Sequence, residues 1–220
     1  MNLPSHTISS TKVTGLLIPG HKYSVRIAQN RAEVEEALKL RFDVFNIELG
    51  EGLESSFHQK MDEDEFDIQC HHLIVIENSS GSVIGTYRMQ DNAMAKAGNG
   101  FYTQSEFDLT KFPEELLQNV VELGRACIHL DHRSGRVLYL LWRGLAKYLE
   151  LSKKRYLFGC CSITSQNTAE GQAVNDFLIE NDHVHTNYKI TVQKEFECIN
   201  FDDFHSYEEK SNSLNYSVFI

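Results

Sequence analysis

The 220-residue chain is 41% hydrophobic and 10% aromatic, the composition of a globular protein with a sizeable core rather than a disordered one. Its formal net charge of -10 argues against a general nucleic-acid binder, whose affinity rests on cationic contacts to phosphate, though a local basic patch stays compatible with it. No stretch approaches the ~20 apolar residues of a membrane helix, and Leu16-Leu17-Ile18 is too short for a signal peptide's apolar core. The sequence therefore predicts a cytoplasmic protein, at most peripheral on the inner face of a membrane. Cys70, Cys127, Cys160, Cys161 and Cys198 are odd in number and lack metal-ligand spacing, so reduced, buried thiols and no metal site are expected.

Residues 1–22 read as a loose arm in which Leu16, Leu17 and Ile18 could dock on the core or on a lipid surface, the core being favoured. Residues 23–197 read as the main domain and 198–220 as an acidic tail. Tyr23–Ala28 alternates as a strand. Asn30, with Glu33 three residues on, opens a helix through a capping box. Its apolar stripe is Val34, Ala37, Leu38, Phe42, Phe45 and Leu49, and Gly50 suits its end. Arg41 lies beside the stripe, where a surface place and a functional one are equally open.

Residues 51–70 carry Asp62, Glu63, Asp64, Glu65 and Asp67 and read as a solvated acidic loop. They lack the glycine that a calcium loop needs at its sharp turn. His72–Glu77 and Val83–Met89 form a hairpin across a Ser/Gly turn, with Arg88 near the end of its second strand. Pro113 opens a short helix. An apolar strand follows from Asn119, and beyond Gly135 comes a long helix carrying Val137, Leu138, Leu141, Trp142, Leu145, Leu149 and Leu151, read as core. A strand at Tyr156–Cys161, a helix at Ala169–Glu180 and a last strand at Tyr188–Phe196 complete a three-layer α/β fold with a mixed sheet. No repeat or dividing linker is visible.

The strand from Asn119 carries the chemistry. Glu122 and Arg125 sit in an otherwise apolar run, where charges are costly unless paired or functional. Three residues apart, they belong to opposite faces of a regular strand. One extra residue would bring both to one face, and Gly124 between them permits such a bulge. A bulge would free a backbone N–H for a developing oxyanion, beside a carboxylate able to take a proton from an amine. A strand salt bridge or an exposed edge pair is an equally good reading of the spacing. The turn His132–Arg136 could present amides to a phosphate, but its single glycine is weak evidence. A nucleophile at Cys127 stays open, although a buried strand cysteine is usually inert.

Seven segments in order carry a resemblance: RFDVFNIELG (41–50), DEFDIQCHHLIV (64–75), GTYR (85–88), GFYTQSEFDL (100–109), ELGRACIHLDHR (122–133), LLWRGLAKYL (140–149) and YLFGCCS (156–162). Over about Tyr23–Thr191 the chain resembles the GNAT-like N-acyltransferases that make N-acyl amino acids. The nearest are the ornithine–acyl-carrier-protein N-acyltransferases of ornithine-lipid synthesis and their glycine-lipid relatives, often labelled hemolysin-like. More distantly it is similar to the acyl-homoserine-lactone synthases, whose motif positions fall on Arg41 and Phe45, Asp64 and Asp67, Arg88, and Glu122 and Arg125. No tryptophan stands near Leu49 or Gly50 as in those synthases, which weakens any case for an adenosylmethionine substrate. The coenzyme A loop of GNAT enzymes, Arg/Gln-x-x-Gly-x-Gly/Ala, has Arg136 and Leu138 here where its glycines belong. Bulky side chains there hinder a pyrophosphate, whereas an acyl carrier's phosphopantetheine brings only one phosphate.

The resemblance implies a GNAT-like αβα fold around a mixed, mainly antiparallel sheet. It also implies transfer of a fatty acyl group, often 3-hydroxylated, from an acyl-carrier-protein thioester to the α-amine of ornithine or glycine, the first step of aminolipid synthesis. The donor thioester is a substrate, and no bound cofactor is implied. Glu122 is expected as base, the Gly124 bulge as oxyanion site, and Arg41, Arg88 or Arg125 as clamp for a carboxylate, with Phe45, Asp64 and Asp67 around them. Arg133, Arg136, Arg143 and Lys147, with the Lys153-Lys154-Arg155 run, would offer a cationic face to an acidic carrier. An acetyl-coenzyme A-dependent acetyltransferase and a non-catalytic carrier- or lipid-binding module are the rivals. Peripheral membrane contact and the oligomeric state stay open.

Overall fold

The computed structural model describes residues 13, 15–163, 165, 167–185, 188, 190–196 and 217–219. The arm before residue 13, Cys198 and most of the acidic tail lie outside them. In chain order the elements are β1 (Leu17–Ile18), β2 (Tyr23–Ile27), α1 (Arg31–Arg41), α2 (Ser56–Gln59), β3 (His71–Glu77), β4 (Val83–Asp91), α3 (Asn92–Ala97), β5 (Phe107–Asp108), α4 (Glu114–Leu117) and β6 (Val120–Ile128). They continue with α5 (Gly135–Ser152), β7 (Tyr156–Phe158), β8 (Cys160–Ser162), α6 (Thr168–Glu180), β9 (Thr191–Val192) and β10 (Ser217–Phe219). The chain divides into two units, one built from residues up to Gly100 with Gln118–Leu157, the other from Phe101–Leu117 with the residues from Phe158 on. No linker in the sequence signals this division.

The first unit holds a sheet of order β1-β2-β3-β4-β6-β7. Successive pairs from β1 to β6 are antiparallel. The connection from β6 to β7 passes through α5, the kind of crossover that a parallel pair requires. This is the mixed, mainly antiparallel sheet that was expected.

Alternation along the strands sorts the two faces. Leu73, Val75, Met89, Val121 and Leu123 pack in one cluster with Val137, Leu141, Leu145 and Tyr148 of α5. Ile74, Val83 and Cys127 pack on the other face with Ala37 and Leu40 of α1. Gly144 permits the close seating of α5: a Cβ there would stand 2.7 Å from Leu73 Cδ2. Leu16 is buried in the α5-side cluster, and Leu17 and Ile18 pair with Arg26 and Val25 at the edge of β2.

The N-cap half of the capping box of α1 is present, while Glu33 Oε2 accepts from Gln29 N rather than from Asn30 N. The Asn30 side chain accepts from Glu33 N at 3.0 Å and donates to Glu33 Oε1 at 3.1 Å. Beyond Arg41 the helix widens into a π-helical turn, Phe42–Glu48, before Gly50 ends it at φ +69°.

Three expectations change. Among the described residues the strand over 188–196 shrinks to β9, in which Thr191 and Val192 pair with Asp108 and Phe107 before a short helical turn at Lys194–Phe196. Tyr156–Cys161 is two short strands rather than one. Leu138 and Trp142 are not core: Trp142 is 49% exposed on the outer face of α5, and Cys161 is exposed as well. No helix among the described residues is long and apolar enough to cross a membrane.

Candidate active site

The β4–β6 register contains the bulge. Arg88 faces Gly124 and Thr86 faces Cys127, so two steps on β4 span three on β6, and neither Arg125 nor Ala126 is paired. The residue that turns left-handed is Arg125, at φ +52°, not Gly124. The phase of β6 changes accordingly. Val121 and Leu123 face α5 before the bulge, while Cys127 faces α1 after it. Glu122, opposite Gln90, and Arg125, whose side chain reaches the α1 side, stand on one face. Nothing lies within 4 Å of where a Cβ on Gly124 would be, so the glycine leaves an opening between the two charges.

The α1 face of β4 and β6 is charged where a sheet face is ordinarily apolar. Arg41 is fully buried. Its Nε donates to Asp62 Oδ2 at 3.0 Å, and its Nη1 and Nη2 grip Asp67 at 2.6 and 3.1 Å. Arg88, on β4, donates Nη1 to Asp64 Oδ1 and, at 3.2 Å, to Asp67 Oδ1. Arg125 donates Nε and Nη2 to Asp62 Oδ2, the former at 3.0 Å, and its guanidinium lies 4.4 Å from the Phe45 ring on the π turn. Three arginines are thus matched by three aspartates, the arrangement under which buried charge is tolerated.

The acidic loop is therefore not simply solvated: Asp62 and Asp67 lie in the interior. Burial alone would raise the Asp67 carboxyl, but the Arg41 charge, its hydrogen bonds and Arg88 outweigh that and hold it well below the usual carboxylate range. Burial likewise works against the Arg41 and Arg88 charges, and their aspartates more than restore them.

Glu122 is held by a chain of side-chain amides. Gln90 Nε2 donates to its Oε2 at 2.6 Å, Gln69 Nε2 donates to Gln90 Oε1 at 2.6 Å, and Gln69 Oε1 accepts from Asn99 N at 2.7 Å. The glutamine relay escaped the sequence reading, although Thr86, Arg88 and Gln90 form a period-two polar row in a buried strand. Cys127, with its thiol pushed up to about 12 by burial, is poorly suited to nucleophilic attack.

His72 is buried against the same cluster, its Nε2 donating to the Asp67 carbonyl at 3.2 Å. Burial holds its pKa at about 4, against the ordinary 6.5. The unfolded chain therefore takes up a proton that the folded one refuses, so the stability that this group contributes is complete above pH 6.5 and is lost as pH falls towards 4. About 3 kcal/mol is at stake over that span. Urea melts between pH 7 and 4 should show this slope, and His72→Phe should flatten it.

A cavity of about 290 Å³ adjoins the bulge. Val44, Phe45 and Leu49 line it from the π turn, Ala126 and Cys127 from β6, and Leu138 from α5. Arg133 stands at this cavity and pairs with Glu48. Arg136, Arg143 and Lys147 lie apart from the cluster along α5, at spacings of seven and four that form one stripe. Arg136 and Arg143 are exposed there, and Lys147 pairs with Glu150 at 2.8 Å.

Residues 40–143 match the family model of the acetyltransferase (GNAT) domain. Over that span, a little under half of the chain, the fold is of the GNAT kind. The matched span of the GNAT domain carries Arg41, Phe45, all three aspartates, Arg88, Glu122, Gly124 and Arg125, and it ends at Arg143. An L-ornithine N(alpha)-acyltransferase of Brucella abortus is 34% identical over 145 residues, 63% of this chain and 52% of its own length. One of Rhodobacter capsulatus is 33% identical over 153 residues, 67% of this chain and 59% of its own. The chain thus spans a little over half the length of these curated relatives. The crystal structure of the AHL synthase LasI overlaps 73% of this chain and 78% of its own at a TM-score of 0.46 and 20% identity.

Proposed function

We propose that the protein is an N-acyltransferase that moves a fatty acyl group from the phosphopantetheine thioester of an acyl carrier protein to the α-amine of L-ornithine, the first step of an aminolipid synthesis. The observation that carries this reading is the bulge: a carboxylate and a guanidinium on one face around the opening at Gly124, beside an apolar cavity. The relatives named L-ornithine N(alpha)-acyltransferase favour ornithine as acceptor over glycine.

Glu122 takes the proton from the acceptor's α-ammonium. The amine attacks the thioester carbonyl, whose oxygen gains charge near the backbone amides of Arg125 and Ala126, two residues outside the β4–β6 register, and the C–S bond breaks as the second nitrogen proton passes to sulfur, so that the carrier leaves as its thiol. Arg41 and Arg88 are committed to aspartates. Arg125, with 25% of its side chain exposed, is then the clamp for the acceptor's carboxylate. The acyl chain lies in the cavity. The Arg136, Arg143 and Lys147 stripe meets the acidic carrier, with Arg133 beside the pantetheine arm. Arg136 and Leu138 in place of loop glycines favour a donor without a pyrophosphate.

The purified protein with L-ornithine and a long-chain acyl-carrier thioester should yield an N-acyl product by mass spectrometry. Absence of product across an amino-acid panel, or faster turnover with acetyl-coenzyme A, overturns the assignment. Leu138→Trp, at a half-exposed place on the cavity wall, should raise KM for the acyl carrier about tenfold while KM for ornithine holds.

A further inference from the structure

Arg125 holds a left-handed conformation that side-chain-bearing residues avoid, and such a conformation persists only where its surroundings over-determine it. Ala126 is exposed and neither residue has a register partner on β4, so the Arg125 side chain is what ties this stretch to its surroundings. Its ion-pair partner among the described residues is Asp62. We infer that Asp62 is the positioning residue of the acceptor site, anchoring the Arg125 guanidinium so that the bulge keeps its shape and a free nitrogen faces the acceptor's carboxylate. The inference rests on the acyl-transfer reading above.

The geometry suits Asp62 to this task. It is 0% exposed, with its backbone N–H donating to Leu38 O at 3.1 Å, so α1 fixes its main chain. Its Oδ2 accepts from Arg41 Nε and from Arg125 Nε and Nη2 together. Arg41 is in turn gripped in a two-point fork by Asp67, which also accepts from Arg88 and from the Asp64 backbone N–H. A rigid path therefore runs from the helix and the central strand through Asp62 to the bulge. Both Arg125 donors on the Nε edge are consumed by Asp62, which leaves Nη1 without an acceptor among the described residues. Phe45 fixes the plane of the guanidinium from the side. An arginine held along one edge and one face offers its remaining edge in a single direction, which is what a substrate clamp needs.

Two variants separate positioning from mere support. Asp62→Asn removes the anchoring charge. Asp62→Glu keeps the charge balance of the cluster, and so the fold, but moves the carboxylate by one methylene. Thermal melts first establish that each is folded, and wild-type turnover of ornithine is measured alongside. The expected result for Asp62→Glu is a KM for ornithine raised about tenfold or more, a KM for the acyl carrier within twofold of wild type, and faster amide hydrogen exchange at residues 125–127. Asp62→Asn, where it folds, should show the same split more strongly. Both KM values unchanged, with kcat merely tracking the folded fraction, would overturn the inference. Wild-type protein inactive towards every amine acceptor would instead overturn the acyl-transfer reading.

Discussion

Glu122→Gln is expected to lower kcat for N-acylation by about 10² to 10⁴-fold, the usual worth of a positioned general base. The amide keeps the shape of the carboxylate and can still accept from Gln90 Nε2 through its carbonyl, so the relay from Asn99 through Gln69 survives. What disappears is the capacity to take a proton from an ammonium. The melting temperature should stay within a few degrees, and KM for the acyl carrier should hold, because Glu122 faces the opening at Gly124 rather than α5. Steady-state kinetics beside a thermal melt checks both halves. Turnover within threefold of wild type would assign the proton transfer to another group.

Arg41→Met is expected to cost stability rather than a catalytic step. It removes the charge that faces both Asp62 and Asp67 and leaves two carboxylates in the interior with less than their complement of cations. Breaking one side of a buried pair costs about 3–5 kcal/mol, a large part of the ~5–15 kcal/mol that holds a domain together. The variant should melt non-cooperatively or far below wild type. Because Asp67 is held well below the usual carboxylate range, the stability it contributes is complete above pH 4 and drains away as acid protonates it. In Arg41→Met the Asp67 carboxyl rises, so on acidification the melt of this variant should fall less steeply than that of the wild type. Arg41→Lys should fall between the two, since an ammonium cannot reproduce the fork on Asp67.

What could be read from the residues follows the range of the forces involved. The Asn30 N-cap, the hairpin of β3 and β4 and the start of α5 are set by neighbours a few residues apart, and the sequence carried them. So did the extra residue between Glu122 and Arg125, because a period-two strand with charges three apart is out of phase with itself. Its placement was displaced by one position: glycine is the residue type that tolerates a left-handed turn, yet Arg125 adopts it under the pull of a partner 63 residues away. Asp62 was illegible for the same reason. Among Glu63, Asp64 and Glu65 it looks like one more solvated charge, and only the return of α1 above the loop buries it. Trp142 and Leu138 were misread because helical spacing marks a stripe without saying whether anything covers it.

The π turn at Phe42–Glu48 and the bulge at Arg125–Ala126 are the same event in two kinds of secondary structure: one residue more than the regular repeat accommodates. They face each other, and Phe45 from the first lies on Arg125 from the second. Substitutions can weaken the contacts between them, but only a change of chain length can abolish the irregularities themselves. Deleting one residue from either element would heal it into an ordinary helix or ladder while swinging Phe45 or Arg125 to the wrong side. The site therefore depends on chain length at these two places as well as on residue identity. A relative that has lost a single residue in either would be a well-formed fold without this chemistry.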